Sequence, residues 1–152
     1  MPADYAVEEF KPSPFSLRSA DDREAPPFLL HVFWYLVSSR PYRVFYTRQH
    51  GAIVHVSYLL AWNPRFAFMA RADLQIGPCR TDPAHRGRGL FPATLAHIVA
   101  LYPNRTIWMF ADETNEASKQ GIRKAGFALI GRGTRRRGIY RLEQAQRDNQ
   151  AR

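Results

Sequence analysis

The chain is poor in the residues that would make several functions simple to assign. It has one cysteine, Cys79, in 152 residues. That excludes an intramolecular disulfide framework and any zinc site built on cysteines. The five histidines, at 31, 50, 55, 85 and 97, show neither HxxxH nor HExxH spacing, so no metal site is expected. The longest apolar run, FLLHVFWYLV at 28–37, is well short of the roughly twenty residues that a membrane helix needs. The opening MPADYAVEEFKPSPF is acidic and proline-bearing, unlike a secretory signal, so a soluble, cytoplasmic protein is expected. Neither G-x-G-x-x-G nor Gly-Lys-Ser/Thr occurs, which removes the dinucleotide and P-loop fingerprints. Lysine is scarce as well, appearing only at 11, 119 and 124, so the net charge of +9 is mostly arginine.

That charge favours anionic partners: a phosphorylated cofactor, a nucleotide, nucleic acid or an acidic surface. Apolar residues make up 45% and charged residues 23%, ordinary values for a globular chain of one-domain length. Prolines at 2, 12, 14, 26 and 27 suggest an irregular segment over 1–27. A domain over 28–142 follows, then a polar tail, 143–152. Within the domain, Phe28 to Ser39 has helical length, and Pro41 should stop it. YRVFYTRQ (42–49) and AIVHVSYLLAW (52–62) read as hairpin strands about a His50-Gly51 turn. FAFMARADLQIGPCRT (66–81) reads as one or two further strands, bent at Gly77-Pro78. LFPATLAHIVALY (90–102) repeats apolar residues at helical spacing. TIWMFAD (106–112) reads as a strand, and Asn115 as the N-cap of a helix over 116–125 that ends at Gly126. FALIGRG and GIYRL would be two last strands about the basic turn TRRRG. The expected fold is α+β: a mixed sheet with helices on its faces, not doubly wound.

The stretch TDPAHRGRGLFP (81–92) concentrates the chemistry. A strand runs into two arginines and two glycines, and a helix starts at once. A helix N-terminus leaves amides unpaired and favours anions. Gly87 and Gly89 keep side chains out of the way, and Arg86 and Arg88 can reach phosphate oxygens. Alone, the tetrapeptide RGRG fits a solvated basic loop equally well. A second pattern lies about thirty residues on: Asn115, then Ser118, then a helix leaving through Gly126-Phe127.

Together the two stretches resemble the GNAT superfamily of acetyl-CoA-dependent N-acetyltransferases over about residues 42–142. Arg86-Gly87-Arg88-Gly89-Leu90-Phe91 matches that family's Arg/Gln-x-x-Gly-x-Gly/Ala signature at all but the last position. The resemblance implies a largely antiparallel central sheet with one splayed parallel pair and helices on both faces. It implies acetyl-CoA as co-substrate and an amine as acceptor. Amides of residues 86 to 91 would hold the CoA pyrophosphate. The backbone of Cys79, Arg80 and Thr81 would pair with the pantetheine arm, which Asn115 and Ser118 would face from the second motif.

The chain leaves the family pattern in three places. Phe91-Pro92 replaces a small residue. Ile122 stands seven residues after Asn115, where a Tyr often protonates the leaving thiolate, which leaves Tyr140 and Tyr58 as candidates by residue type. Gln75 stands where relatives carry a Glu base, and an amide cannot accept a proton at neutral pH. If no bulge intervenes, alternation puts Asp73, Gln75, Gly77 and Cys79 on one face. Asp73 could then act directly or through water, and His55 on the preceding strand is a second candidate base. Each has a plain reading too: a solvent-facing carboxylate and a packed histidine. The amine could also arrive deprotonated. Cys79 reads as a packed residue, not as a nucleophile, and Arg135 to Arg137 as a solvated hairpin tip or a phosphate grip. Trp34 and Tyr35 belong to the core or to the acceptor cleft. The expected partner is a small anionic amine such as an amino sugar or nucleotide sugar. Binding of nucleic acid by an inactive domain is the competing reading, and a homodimer is compatible with either.

Overall fold

The computed structural model describes residues 3–22, 27–38 and 42–144. The helix stop at Pro41 and the tail beyond 144 lie outside the described residues. The elements are β1 (Tyr5–Phe10), α1 (Phe28–Ser38), β2 (Arg43–Gln49), β3 (Ala52–Ala61), β4 (Leu74–Thr81), α2 (Leu90–Leu101), β5 (Ile107–Met109), α3 (Glu116–Lys124), β6 (Gly131–Arg136) and β7 (Ile139–Gln144). Strands β1 to β5 form one sheet in sequence order. All neighbours in it are antiparallel except β4 and β5, which are parallel.

Alternation divides the core between the two faces of the sheet. Val44, Tyr46, Val56, Tyr58 and Leu60 face one side, where Trp34 and Tyr35 of α1 pack on them. Phe45, Leu59, Leu74 and Ile76 face the other, against Leu95 and Ile98 of α2 and Ile122 of α3. Each fully buried side chain of this size contributes about 1.5–3 kcal/mol over leaving it in water. The β2–β3 turn is the expected one, with His50 and Gly51 both at positive φ (48° and 82°), as a two-residue hairpin requires.

Several expectations are corrected. Residues 5–10 are not irregular: they form β1, an edge strand on β2 with Tyr5 opposite Gln49. The flanking prolines obscured a short alternating segment that only its partner makes stable. Residues 66–73 form no strand beyond an isolated bridge at Phe66, and the strand starts at Leu74. Residues 127–130 carry no strand, and the 106–112 strand is confined to Ile107–Met109. β6 and β7 form a hairpin of their own. It meets the rest through Phe66 and Tyr140, with Tyr140 N–H donating to Arg65 O at 2.7 Å and Ala67 N–H to Tyr140 O at 3.2 Å. Arg135 and Arg136 lie within β6, so the basic turn narrows to Arg137-Gly138, both at positive φ.

Candidate active site: a splayed strand and a glycine turn

β4 keeps its β3 partner to the end but soon loses β5. Parallel pairing covers Leu74–Ile107, Gln75–Trp108 and Ile76–Met109 only, whereas β4 continues to Thr81 opposite His55. From Gly77 onward the β5-side edge of β4 is therefore without a strand partner. Within that stretch, Ser57 faces Cys79 and Leu59 faces Ile76. Two steps on β3 match three on β4, which makes Gly77-Pro78 a β-bulge. The extra residue reverses the alternation beyond it. Cys79 packs with Ile76 and Phe91 on the α2 side, so it does not share a face with Gln75. The single-face arrangement of Asp73, Gln75, Gly77 and Cys79 does not hold.

β4 ends in a 3-10 turn, Pro83–His85, capped by Asp82, which accepts from the Ala84 N–H at 2.8 Å. Gly87 and Gly89 follow, both at φ 75°, where an L side chain costs roughly 1–2 kcal/mol. A Cβ built on either would meet nothing within 4 Å. The glycines are thus required by backbone conformation, and the space before them is open. Gly89 gives α2 no side-chain cap, so the first amides of the helix remain available to an anion. Pro92 has no N–H to leave unpaired there. Arg86 and Arg88 are both exposed. Arg86 Nε reaches Thr81 O at 3.4 Å, while Arg88 Nη1 donates to the Tyr5 hydroxyl at 3.1 Å. Tyr5 had no signal of its own in the sequence; only the pairing of β1 brings it to this loop.

Phe91 turns its ring inward, against Gly121 of α3 and 6.0 Å from the His55 ring. Leu90 is buried beside it in sequence. Asn115 caps α3 as expected, its Oδ1 accepting from Ser118 N–H at 3.0 Å. Its amide nitrogen and the second lone pair of Oδ1 can still serve another partner. Arg80 turns to the opposite side of the sheet from Cys79, with Nη2 on the buried Asp22 at 2.9 Å.

The candidate acid–base groups are placed as follows. His55 is buried, its Nδ1 2.7 Å from Thr81 Oγ1 and its Nε2 2.8 Å from Ser57 Oγ. Burial pushes its pKa down to about 4. Ser57 in turn donates to Cys79 Sγ at 3.3 Å, and burial raises the thiol to about 11. Asp73 lies at the opposite end of β4 from the glycine turn, buried, with Oδ2 accepting from Trp108 Nε1 at 2.8 Å and Ala70 N–H at 2.9 Å. Tyr58 is buried beneath Trp34 (ring centroids 5.2 Å), and its pKa is raised by that burial. Tyr140 stacks on Phe66 at 5.1 Å, outside both core clusters. Ile122 lies in the α2-side cluster. Among the described residues there is no group of three or more potential metal ligands, and no helix is long and apolar enough to cross a membrane.

No family model matches the chain, and no curated protein matches it. Solved structures do. The aminoglycoside N-acetyltransferase AAC(6')-Iy, in complex with the bisubstrate analogue CoA-S-monomethyl-acetylneamine, superimposes with a TM-score of 0.66 at 12% identity, over 88% of this chain and 97% of that one. The ribosomal-protein-S18-alanine N-acetyltransferase of Escherichia coli gives 0.57 at 17% identity, over 84% and 81%. A GNAT family acetyltransferase of Elizabethkingia anophelis with acetyl-CoA bound gives 0.57 at 13% identity, over 92% and 94%. The splayed β4–β5 pair, the glycine turn and these superpositions agree: the chain has the GNAT acetyltransferase fold.

Proposed function

We propose that the protein is an N-acyltransferase that moves an acetyl or other short acyl group from CoA to an amine, within a ternary complex. One observation carries the reading: along a single path, a strand edge without a partner (Gly77 to Thr81) leads into two left-handed glycines and an uncapped helix start. CoA supplies an activated thioester and an anionic pyrophosphate. The open turn fits that group, since its amides, helix end and two exposed arginines all favour negative charge.

Amides of residues 86 to 91 would hold the pyrophosphate. Backbone of Cys79, Arg80 and Thr81 would pair with the pantetheine arm as an added strand does, and the Asn115 amide nitrogen, beside Ser118, would face the same arm. Pro78 has no N–H, so the Cys79 amide is the first donor after the bulge. We assign it the negative charge that develops on the carbonyl oxygen. Holding the two reactants together supplies much of the remaining acceleration.

His55 stays out of proton transfer, since both ring nitrogens are engaged and its pKa lies far below neutrality. Asp73 is committed to Trp108 and Ala70. The amine therefore arrives deprotonated and water carries its proton away. Tyr140, outside both core clusters, is the candidate to return a proton to the departing thiolate. The finer reading of the acceptor is a small anionic amine, such as an amino sugar or nucleotide sugar, supported by the net charge of +9.

Thermal shifts with acetyl-CoA and longer acyl-CoAs, followed by free-thiol release over a panel of amines, test the reading. Stabilisation by acyl-CoA and amine-dependent thiol release are expected; no shift at millimolar acyl-CoA would overturn it. Gln75 and Ile122, neither of them protonatable, favour a second reading: an inactive GNAT-like module that binds CoA or nucleic acid. Binding of CoA without thiol release from any amine would select it, and nucleic-acid binding would weaken steeply with salt.

A further inference from the structure

Five aromatic rings outside both core clusters gather at the splay. Trp108 is in register with Gln75, while Met109 packs on the α2 side. Trp108 and Phe110 consequently face away from α2 and α3, with their rings nearly parallel at 6.5 Å. Phe66 stacks flat on Phe110 at 4.5 Å, Tyr140 stacks on Phe66, and Phe68 packs on Trp108 at 4.9 Å. Phe110 is the first residue after β5, where pairing with β4 ends, and it is 38% exposed.

These rings join the β3–β4 connection to the β6–β7 hairpin, but a packing role alone does not require Phe110 to remain exposed beside the splay. Arg135 lies over the Tyr140 ring at 5.9 Å. Of the carboxylates nearby, Glu113 pairs with Arg132, Asp112 accepts from Thr114, and Asp73 is buried, accepting from Trp108 and Ala70.

We infer that this wall is where the acceptor stacks, and that the acceptor is an amine borne on a ring with a flat apolar face and carrying an anionic group. The inference rests on the acyltransferase reading. Rings of saccharides and of aromatic amines both present such a face, and Arg135 would take the anion.

Three probes, each with one primary amine and one phosphate monoester, separate the possibilities: glucosamine 1-phosphate, O-phosphotyramine and the ringless phosphoethanolamine. Each is titrated calorimetrically into the full chain in the presence of CoA. At least one ring-bearing probe should bind about tenfold or more tighter than phosphoethanolamine, the scale of a single aromatic stacking contact. Phe110→Leu should remove that preference, Phe110→Tyr should restore it, and Arg135→Gln should weaken every probe that binds. Which ring-bearing probe binds tells a saccharide from an aromatic acceptor. Equal binding of all three, no binding at millimolar concentration, or a preference that survives Phe110→Leu overturns the inference. So does a Phe110→Leu effect that is only a lowered Tm with acetyl-CoA and probe affinities falling together. An acetyl-CoA thermal shift on the same sample keeps the two levels apart. Its absence sinks the acyltransferase reading, whereas its presence with ring-indifferent binding sinks only the stacking wall.

Discussion

The ring of Phe91, on the first turn of α2, lies against the backbone of Gly121 in α3. A Cβ added at Gly121 would stand 2.5 Å from Phe91 Cδ1 and 2.8 Å from Cε1. Phe91 is where the signature expects a small residue, and here its bulk is accommodated by a helix position without a side chain. The contact joins the N-terminal end of α2 to the helix that Asn115 caps.

Gly121→Ala should therefore destabilise the protein, although alanine is normally the better helix former by about 1 kcal/mol. Overpacking of this kind costs roughly 1–3 kcal/mol, and each kcal/mol lowers the Tm of a chain this size by about 2–4 °C. Calorimetry on Gly121→Ala, Phe91→Ala and the double variant checks it. The double variant should be more stable than the sum of the single effects, the sign of a relieved clash.

Gly89→Ala meets no steric obstacle, so its effect is conformational. Forcing alanine to φ 75° costs roughly 1–2 kcal/mol. The turn would relax and move its amides, so acyl-CoA affinity should fall about tenfold, as 1.4 kcal/mol of lost binding gives. Stability should fall only modestly. Equilibrium binding of acetyl-CoA to wild type and variant reads both parts.

Asp73→Asn distinguishes a structural carboxylate from a base. Its two accepted bonds predict a stability loss on the order of 1–3 kcal/mol, with the slope of log kcat against pH unchanged. A fall in kcat of about a hundredfold or more, the usual scale for a lost general base, would reassign Asp73 to catalysis.

His55 sets a pH dependence of stability. Its folded pKa, about 4, lies below the unfolded value near 6.5, so the unfolded chain binds the extra proton between those limits. Stability should decline as pH falls from about 6.5 to 4 and gain nothing further from this group above 6.5. The shift corresponds to a few kcal/mol at most. Burial lowers His31 as well, which adds a contribution of the same sign. Denaturant melts at pH 4.5 and 7 should show the loss, and His55→Asn should flatten it.

Cys79, with its thiol raised to about 11 by burial, should resist alkylation in the native state at pH 7.5. Cys79→Ala should retain turnover within a few-fold, with no burst of acyl-enzyme. Stoichiometric labelling by iodoacetamide, or an acylated Cys79 trapped after rapid quench, would revive a covalent route.

Local chemistry accounts for what could be read from the chain in advance. Gly87 and Gly89 stand out because left-handed φ excludes most side chains, and Asn115 because an N-cap is defined by its own helix. The His50-Gly51 turn and the long amphipathic segments are local in the same sense. The bulge at Gly77-Pro78 was visible only as a bend. That it adds one residue against β3, and so turns Cys79 to the α2 side, follows from register between strands twenty residues apart. β1 was hidden because a short edge strand owes its stability to its partner, and with it went the approach of Tyr5 to Arg88. His55 and Asp73 carry the right functional groups, yet burial depth and engaged hydrogen-bond partners decide what they can do. The glycine turn was thus written in neighbouring residues, where backbone conformation suffices. The aromatic wall, with Phe66, Phe110 and Tyr140 drawn from three distant segments, came into being only through long-range packing.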